Sequence, residues 1–242
     1  MKRWTTSNGI VLTRVLFGRC NSFLISSGGN HVLVDNGQTN KLKALKKHLG
    51  ALGVTPENLN LMILTHTHFD HAENSAEMVR EYRPVLLVHE EEAEFLATGD
   101  SPMPDGTNWF SRLLINSIGR KLQHLFKYKP VKAEVTVNEK YDLAGYGING
   151  YILPTPGHTT GSISLIVDNE IAIVGDAMFG IFPGKIFPPF ANDVPAMIQS
   201  WKTLLDTGCS LFLPAHGRER SRKTVEREYL SRITSHSSLN FI

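Results

Sequence analysis

The sequence is poor in cysteine. Its 242 residues include only two, Cys20 and Cys209, and neither has a histidine beside it in the chain. Two isolated cysteines do not form the disulfide framework that holds small secreted proteins together. Thiolate ligands for metals usually occur in closely spaced groups, which are absent here. We therefore expect reduced cysteines, no structural disulfide and no thiolate metal site.

Long apolar runs and an excess of one charge are also missing. No segment approaches the ~20 consecutive apolar residues that a membrane-spanning helix needs. No apolar run of the secretory type follows the basic start Met1-Lys2-Arg3. The net charge is only +2, which argues against a broad nucleic-acid surface. A content of 41% hydrophobic residues is typical of a globular protein. From the few cysteines and the missing secretory and membrane-spanning runs, we predict a cytoplasmic protein with no membrane partner.

Short apolar runs alternate with segments of helical periodicity along the whole chain. Apolar alternation bounded by turn residues predicts strands over 11–17, 22–25, 31–34, 61–64, 85–88, 134–137, 148–153, 162–167, 171–174 and 211–213. Apolar spacings of three and four predict helices over 41–49, 72–78, 90–97, 109–126, 194–205 and 222–233. No linker interrupts the pattern. We predict a single α/β domain over residues 1–242, with sheets packed between helices.

The segment Thr-His-Thr-His-Phe-Asp-His at 65–71 directly follows a predicted buried strand. It supplies four potential metal ligands, namely His66, His68, Asp70 and His71. Neutral imidazole nitrogens and carboxylate oxygens are the ligands that zinc and related divalent metals prefer. Burying such groups side by side without a hydrogen-bond partner or a metal costs about several kcal/mol or more in free energy. The cluster therefore predicts metal-dependent chemistry.

Three further segments place a ligand-type side chain just after an apolar strand. His158 lies in Pro-Gly-His-Thr, Asp176 in Val-Gly-Asp, and His216 in Pro-Ala-His-Gly. Ends of strands are where enzymes assemble sites from distant parts of the chain. We expect these residues to converge on the 65–71 cluster.

Together with Val34-Asp35-Asn36-Gly37, these segments resemble the signature regions of the metallo-β-lactamase-fold superfamily. The resemblance implies a four-layer αβ/βα sandwich that holds two divalent metal ions at one edge, zinc in the first instance, with iron or manganese as alternatives. It implies that one metal is held by His66, His68 and His158, that the second is held by Asp70, His71 and His216, and that Asp176 bridges the two. Asp35 resembles a carboxylate that orients a ligating histidine.

The branch of the superfamily is indicated by single residues. An aspartate at position 176, with Asp70 and His71 both present, resembles the hydrolases of thioesters, lactones and phosphodiesters, including glyoxalase II. Zinc β-lactamases of the best-known group carry cysteine at that position. Lactonases of this fold often place a tyrosine where Met178-Phe179 stands here. Only a short segment follows His216, where glyoxalase II has a helical extension that binds glutathione.

We predict a dinuclear metal-dependent hydrolase of an ester, thioester or lactone bond, in which a metal-bridging hydroxide attacks the carbonyl carbon. Asp70 is the predicted catalytic residue, because it would orient the nucleophile and accept its proton. One alternative is a phosphodiesterase of the same fold, for which the basic cluster at 218–223 is the candidate contact. The other is an oxidoreductase similar to the persulfide dioxygenases, which use one iron. Metal content separates these classes.

Two segments are candidates for the substrate pocket. The loop at 180–190 is predicted to form an apolar wall from Phe182, Phe187 and Phe190, with Lys185 as an anion contact. The helix predicted over 109–126 is either a core helix or a lid. We expect a small-molecule substrate with an apolar part and no nucleic-acid partner. The identity of the substrate, the native metal and the oligomeric state are open at this point.

Overall fold

Two β-sheets form the centre of the computed structural model, which describes residues 1–119 and 122–237. The first sheet has seven strands that lie side by side in chain order. They are β1 (Arg3–Thr5), β2 (Val11–Leu16), β3 (Ser22–Ser27), β4 (Asn30–Val34), β5 (Leu59–Ile63), β6 (Val85–His89) and β7 (Val135–Val137). Neighbours are antiparallel from β1 to β4 and parallel from β4 to β7.

The second sheet has six strands in the spatial order β13-β12-β11-β10-β9-β8. They are β8 (Tyr141–Asp142), β9 (Gly150–Pro154), β10 (Ile163–Val167), β11 (Ile171–Gly180), β12 (Leu211–Gly217) and β13 (Arg220–Ser221). All neighbours are antiparallel except β11 and β12, which are parallel.

Helices cover the outer faces of both sheets. The α-helices are α1 (Leu42–Ala51), α2 (Phe69–Ala72), α3 (Ser75–Tyr82), α4 (Glu90–Thr98), α5 (Trp109–Leu114), α6 (Val194–Asp206) and α7 (Arg222–Ser237). Within the described ranges, no helix is both long and apolar enough to cross a bilayer.

The alternation of side chains along the strands explains the layers. In β5, Leu61 and Ile63 join the core between the two sheets, whereas Met62 joins the core between the first sheet and its helices. A third core lies under α6, where Trp201 is completely buried against the outer face of the second sheet. The resulting order is helices, sheet, sheet, helices. The predicted four-layer αβ/βα sandwich is confirmed.

The predicted elements differ most from those observed at 109–126 and in β11, and the helix predicted over 72–78 is divided between α2 and α3. The helix predicted over 109–126 ends at Leu114 and continues as a π-helical turn (Ile115–Gly119) and a 3₁₀ turn (Gln123–Phe126), with 120–121 outside the described residues. Trp109 is 77% exposed and Leu125 is 63% exposed, so this segment is not a core helix. Strand β11 runs to Gly180 rather than ending at 174, because it continues past an irregularity at Gly175.

Candidate active site

Three of the predicted histidines meet at one edge of the sandwich. His66 and His68 lie in the loop between β5 and α2, and His158 lies in the loop between β9 and β10. His68 Nδ1 is 2.9 Å from His66 Nε2 and 3.0 Å from His158 Nε2. All three side chains are buried. His68 and His158 are 90 residues apart in the sequence, and the packing of one sheet on the other brings them together.

The hydrogen bonds around this trio fix which ring nitrogens carry hydrogen. His68 Nε2 lies 3.0 Å from the Pro102 carbonyl oxygen, and His158 Nδ1 lies 2.9 Å from the Phe190 carbonyl oxygen. A carbonyl oxygen only accepts, so each of these nitrogens is the donor. In the neutral imidazoles the opposite nitrogens therefore carry lone pairs, and these face each other. Such an arrangement is stable with a cation between the rings, which is the chemistry of a metal site.

Burial keeps these rings neutral. It lowers the pKa of His68 to about 4 and that of His158 to about 4, although the nearby carboxylates of Asp70 and Asp176 oppose the shift for His68. Burial, together with the other histidines, also lowers the pKa of His66 well below its ordinary value. Neutral imidazole is the form that binds a metal, so the trio is ready for a ligand role at neutral pH.

Asp176 stands between this trio and a second group of ligand-type side chains. Its Oδ1 is 3.5 Å from His71 Nε2, and its Oδ2 is 3.5 Å from His158 Nε2 and 3.2 Å from His216 Nε2. His216 Nε2 is also 3.7 Å from Asp70 Oδ2. Burial by itself would raise the pKa of Asp176, but the surrounding histidines outweigh it and lower that pKa below its usual range. Asp176 therefore faces both groups as a carboxylate, where a bridging ligand would stand.

Two buried polar atoms at the centre lack any hydrogen-bond partner among the described residues. They are His71 Nε2 and Asp176 Oδ1. An unpaired buried polar group costs about 1–3 kcal/mol, and native structures rarely leave one without a reason. Both atoms point at each other across 3.5 Å. A divalent cation would satisfy both, so the donor set fits the metals implied by the sequence.

Asp35 holds His71 in the orientation that the centre needs. Its Oδ1 accepts a hydrogen bond from Thr65 N at 2.8 Å, and its Oδ2 accepts one from His71 Nδ1 at 2.9 Å. Because Nδ1 donates to the carboxylate, the neutral form of the His71 ring has its lone pair on Nε2, which faces the centre. Burial opposes protonation, but Cys20, Asp35 and Asp176 raise the pKa of His71 well above its ordinary value.

Gly175 lets β11 approach the histidine loop. Its φ is +49°, a left-handed conformation that glycine adopts without strain. A Cβ at this position would lie 2.7 Å from Thr65 Cβ. The same residue interrupts the regular pairing of β11 with β12. Asp176, the next residue, is thereby brought beside His71 inside a strand rather than after its end, as the sequence had suggested.

Glu92 is a buried carboxylate that the sequence did not single out. It lies on α4, accepts hydrogen bonds from Thr67 N at 2.8 Å and Thr159 Oγ1 at 2.6 Å, and is also bonded to the Thr67 hydroxyl. It joins the loop that carries His66 and His68 to the loop that carries His158. The signal was available in part, since Glu92 lies four residues before the buried Leu96 on the same helix face.

We expect Glu92→Ala to lower the free energy of unfolding by about 1–3 kcal/mol, because it leaves the Thr67 amide unsatisfied and removes the hydrogen bond from the Thr159 hydroxyl. Chemical denaturation measures the effect. Glu92→Gln keeps an acceptor for Thr67 N and should retain most of the stability. The matched control is Glu91→Ala, an exposed position on the same helix. Equal stability of the Glu91 and Glu92 alanine variants would contradict the linking role.

Cys20 also lies beside the centre, contrary to what its sequence neighbours suggested. Its Sγ is within 4.8 Å of ligand-type atoms of Asp35 and His71. Burial raises the pKa of Cys20 to about 12, so it stays a thiol at neutral pH. No local pattern could have revealed it, because the contact depends on how the loop between β2 and β3 packs against the helix that carries His71.

The centre opens into a cavity of about 760 Å³, called here the site cavity. This is within the usual size range of small-molecule sites. His68, Asp70, His158, Asp176 and His216 are at its base. Apolar side chains dominate the walls, and they are Phe17, Phe69, Met103, Pro104, Leu114, Ile115, Leu122, Phe126, Phe179, Ile181, Pro189 and Phe190.

The predicted aromatic wall is correct only for Phe190. Phe182 and Phe187 line a separate cavity of about 160 Å³ next to it. Phe187 packs against Trp201, with ring centroids 6.1 Å apart. Lys185, the predicted anion contact, lies 3.4 Å from Glu228 and does not line the site cavity. The two ends of this loop, at 180–181 and 189–190, line the site cavity, and its middle does not.

Residues 101–119 and 122–126, called here the cover segment, follow α4 and cover the site cavity. Asn108 caps α5 by accepting a hydrogen bond from Ser111 N at 2.9 Å, and Thr107 N donates to the Pro189 carbonyl at 3.0 Å. The Phe126 ring stacks on Phe69, with centroids 4.5 Å apart. The segment is therefore tied at both ends, to the 186–191 loop and to α2. Of the two roles open from the sequence, its position matches that of a cover.

The sequence profile described as "Metallo-beta-lactamase superfamily" matches residues 15–216 of this chain. The chain belongs to the metallo-β-lactamase superfamily. All seven side chains assigned from the superfamily resemblance lie at one edge, and the ligand-type atoms of each group lie within 4.8 Å of one another. Their roles as ligands are developed as a proposal below.

Relatives within the superfamily carry hydrolase names. A probable metallo-hydrolase of Streptococcus pyogenes is 31% identical over 182 residues, which are 71% of this chain and 67% of that protein. A hydroxyacylglutathione hydrolase of Aliivibrio salmonicida is 27% identical over 185 residues, and the match covers 76% of this chain but only 57% of that enzyme. Membership and these names support a metal-dependent hydrolase.

A solved structure shows the same fold. The archaeal metallo-β-lactamase superfamily protein of Sulfolobus tokodaii superposes with a TM-score of 0.64 at 22% sequence identity. The alignment covers 92% of this chain and 86% of that one.

Proposed function

We propose that this member of the superfamily is a dinuclear metal-dependent hydrolase of a carboxylic ester, thioester or lactone with an apolar part. The observation that carries the proposal is the set of inward lone pairs. Ring nitrogens of His68, His158 and His71 are forced by their outer hydrogen bonds to face a centre that also holds the Asp176 carboxylate. The apolar walls of the site cavity favour a substrate with an apolar part.

Two groups of side chains would hold the cations. His66, His68 and His158 form the first group, Asp70, His71 and His216 form the second, and Asp176 stands between them. When bound, two divalent cations would supply activated water at neutral pH and stabilise the negative charge that develops on the substrate. The nitrogen and oxygen donor set suits zinc, and it also suits iron or manganese.

The proposed reaction is a simple hydrolysis. The oxygen of water bonds to the carbonyl carbon, and the bond from that carbon to the leaving oxygen or sulfur breaks. Asp70 accepts the proton of the water at its carboxylate and returns it to the leaving atom. Asp70 is half-buried at the base of the site cavity, and its Oδ2 lies 3.7 Å from His216 Nε2. The leaving group would therefore depart on the side of Asp70 and His216.

Two of the four basic residues in the 218–223 cluster, Arg220 and Arg222, are engaged in the fold, which weakens the phosphodiesterase alternative. Arg220 donates to the carbonyls of Phe182 and Lys185, at 2.7 Å and 2.9 Å. Arg222 is paired with Glu226 at 2.7 Å. Side chains bound in this way are not available to a polyanion.

Elemental analysis of protein purified without added metal tests the proposal. We expect two zinc ions per chain, and we expect a chelator to abolish hydrolysis of thioester, lactone or ester substrates until zinc is restored. Chelation should also lower the melting temperature, because a ligand that binds only the folded state stabilises it. One iron per chain, with no hydrolysis of any of these substrates, would favour the oxygenase alternative. Faster cleavage of bis-nitrophenyl phosphate would favour the phosphodiesterase.

A further inference from the structure

Two arginines place positive charge on the site cavity. Apart from the candidate ligands at its base, the charged side chains on its described lining are Arg19 and Arg218. Both are exposed to solvent. A cavity with otherwise apolar walls gains nothing from two guanidinium groups unless its ligand carries negative charge, because an apolar ligand would have to displace their water.

Both arginines belong to the same wall. Asn21, two residues after Arg19, donates from its backbone to the Ala215 carbonyl at 2.7 Å and from its side chain to the Gly217 carbonyl at 3.0 Å. The loop between β2 and β3, which carries Arg19, is thereby fastened to the end of β12, and Arg218 follows β12 directly. The Arg19 guanidinium lies 5.1 Å from the centre of the ring of Phe69, which directly precedes Asp70 in the chain.

The positive charge of this wall is not neutralised. Among residues 1–119 and 122–237, neither Arg19 nor Arg218 forms a salt bridge, and the nearby Glu219 is paired with Lys2. Besides burial, which is the main cause, Arg218 helps to lower the pKa of Arg14 and of Arg220. Positive potential that persists at a cavity wall attracts an anionic group of a ligand.

Much of the remaining lining of the site cavity is apolar. The cover segment and the loop after β11 contribute Met103, Pro104, Leu114, Ile115, Leu122, Phe126, Ile181, Pro189 and Phe190. Phe190 also binds His158 through its carbonyl, so this lining adjoins the first group of histidines. The site cavity thus combines an apolar lining with two positive charges next to the elements that carry Asp70 and His216.

Building on the proposed hydrolase function, we propose that the substrate is an ester or thioester with an apolar acyl group and an anionic leaving group, whose carboxylate or phosphate is bound by Arg19 and Arg218. The leaving group departs on the side of Asp70 and His216, where Arg19 lies over the ring of Phe69, the residue before Asp70, and Arg218 follows His216 by two residues. Guanidinium groups bind carboxylates and phosphates through paired hydrogen bonds, which lysine cannot match. The acyl group then lies along the apolar lining.

A matched set of thioesters tests the proposal by thiol release. The octanoyl thioester of 3-mercaptopropanoate is compared with that of 3-mercaptopropanamide, which has the same shape without the charge. For the wild type we expect kcat/KM to be about tenfold higher for the acid than for the amide, the ratio produced by one charge-assisted hydrogen bond. Acetyl thioesters should be at least about tenfold poorer, since they bury less apolar surface.

Arginine variants assign the preference to its source. Arg19→Met and Arg218→Met should each lower the ratio of acid to amide, and the double variant should bring it close to one. Arg80→Met removes an exposed arginine that pairs with Glu77 on α3, and it should keep the wild-type ratio. The octanoyl thioester of 2-mercaptoethyl phosphate distinguishes the two anions. Whichever of the carboxylate and phosphate substrates has the higher kcat/KM carries the anion that the arginines prefer. A ratio that survives the double variant would overturn the proposal.

A binding measurement separates this proposal from the hydrolase function. S-octyl-3-mercaptopropanoate and its amide are thioethers that cannot be cleaved, and calorimetry gives their affinities for the metal-loaded protein. Tighter binding of the acid, lost in the double variant, supports the anion site even if no thioester is hydrolysed. If thioesters are hydrolysed but acid and amide react and bind equally, the hydrolase function stands and the anion site is wrong.

Discussion

Replacing Asp176 with asparagine is expected to lower kcat/KM for the best substrate by at least about 10³-fold, because the two cations that it would link supply several kcal/mol of transition-state stabilisation. The two oxygens of Asp176 face different histidines, with Oδ1 3.5 Å from His71 Nε2 and Oδ2 3.2 Å from His216 Nε2. An amide removes the negative charge and turns N–H groups toward one of these nitrogens. Bound metal, measured by elemental analysis, should fall as well.

The matched control for this variant is Asp168→Asn. Asp168 lies in the turn between β10 and β11, away from the centre, and its Oδ1 accepts from Asn149 at 2.7 Å. The control changes the same functional group and should keep both activity and metal content. His68→Ala should behave as Asp176→Asn does. Full hydrolytic activity in both His68→Ala and Asp176→Asn would show that the assigned centre is not the site of catalysis.

Asp35→Asn is expected to lower metal affinity by about 10- to 100-fold, the usual effect of removing a group that orients a metal-binding histidine. If the amide oxygen keeps the hydrogen bond from Thr65 N, the NH₂ group faces His71 Nδ1, which is also a donor. The ring then relieves the clash by moving its hydrogen to Nε2. That hydrogen would occupy the lone pair that faces the centre.

Competition with a chromophoric chelator measures the affinity of the Asp35 variant. The fold should survive, because Asp35 has a φ of 55°, a left-handed conformation that asparagine adopts readily. Asp168→Asn is again the appropriate control, since Asp168 has a φ of 53°. Wild-type affinity in the Asp35 variant would mean that His71 is oriented by other contacts.

Much of the fold follows from local patterns. The continuous apolar runs in β4 and β5 predict strands that are buried on both faces, and the structure divides their side chains between two cores. The helical spacing around Leu45 and Leu49 likewise predicts α1. The segment at 109–126 has apolar residues at the same spacing, yet it is broken and largely exposed. Periodicity shows that a face is apolar, but not whether it meets a core or a ligand cavity.

The candidate site was predictable in its ligands and not in its surroundings. Asp70 and His71 stand in one short motif, and their chemistry is evident without a structure. Glu92 is one of three consecutive glutamates at the start of α4, a typical exposed acidic turn. Only the contact of α4 with the two histidine loops shows that this one is buried.

The sequence by itself determined which side chains are available for metal chemistry and that they follow apolar runs of an α/β sandwich, because ligand type and apolar runs are properties of short segments. Only the tertiary structure decided how closely residues from 66 to 216 approach one another, that Cys20 lies beside His71, and that two arginines line an otherwise apolar cavity. Such relations depend on how loops from two sheets pack at a common edge. That packing is set by contacts between residues far apart in the chain.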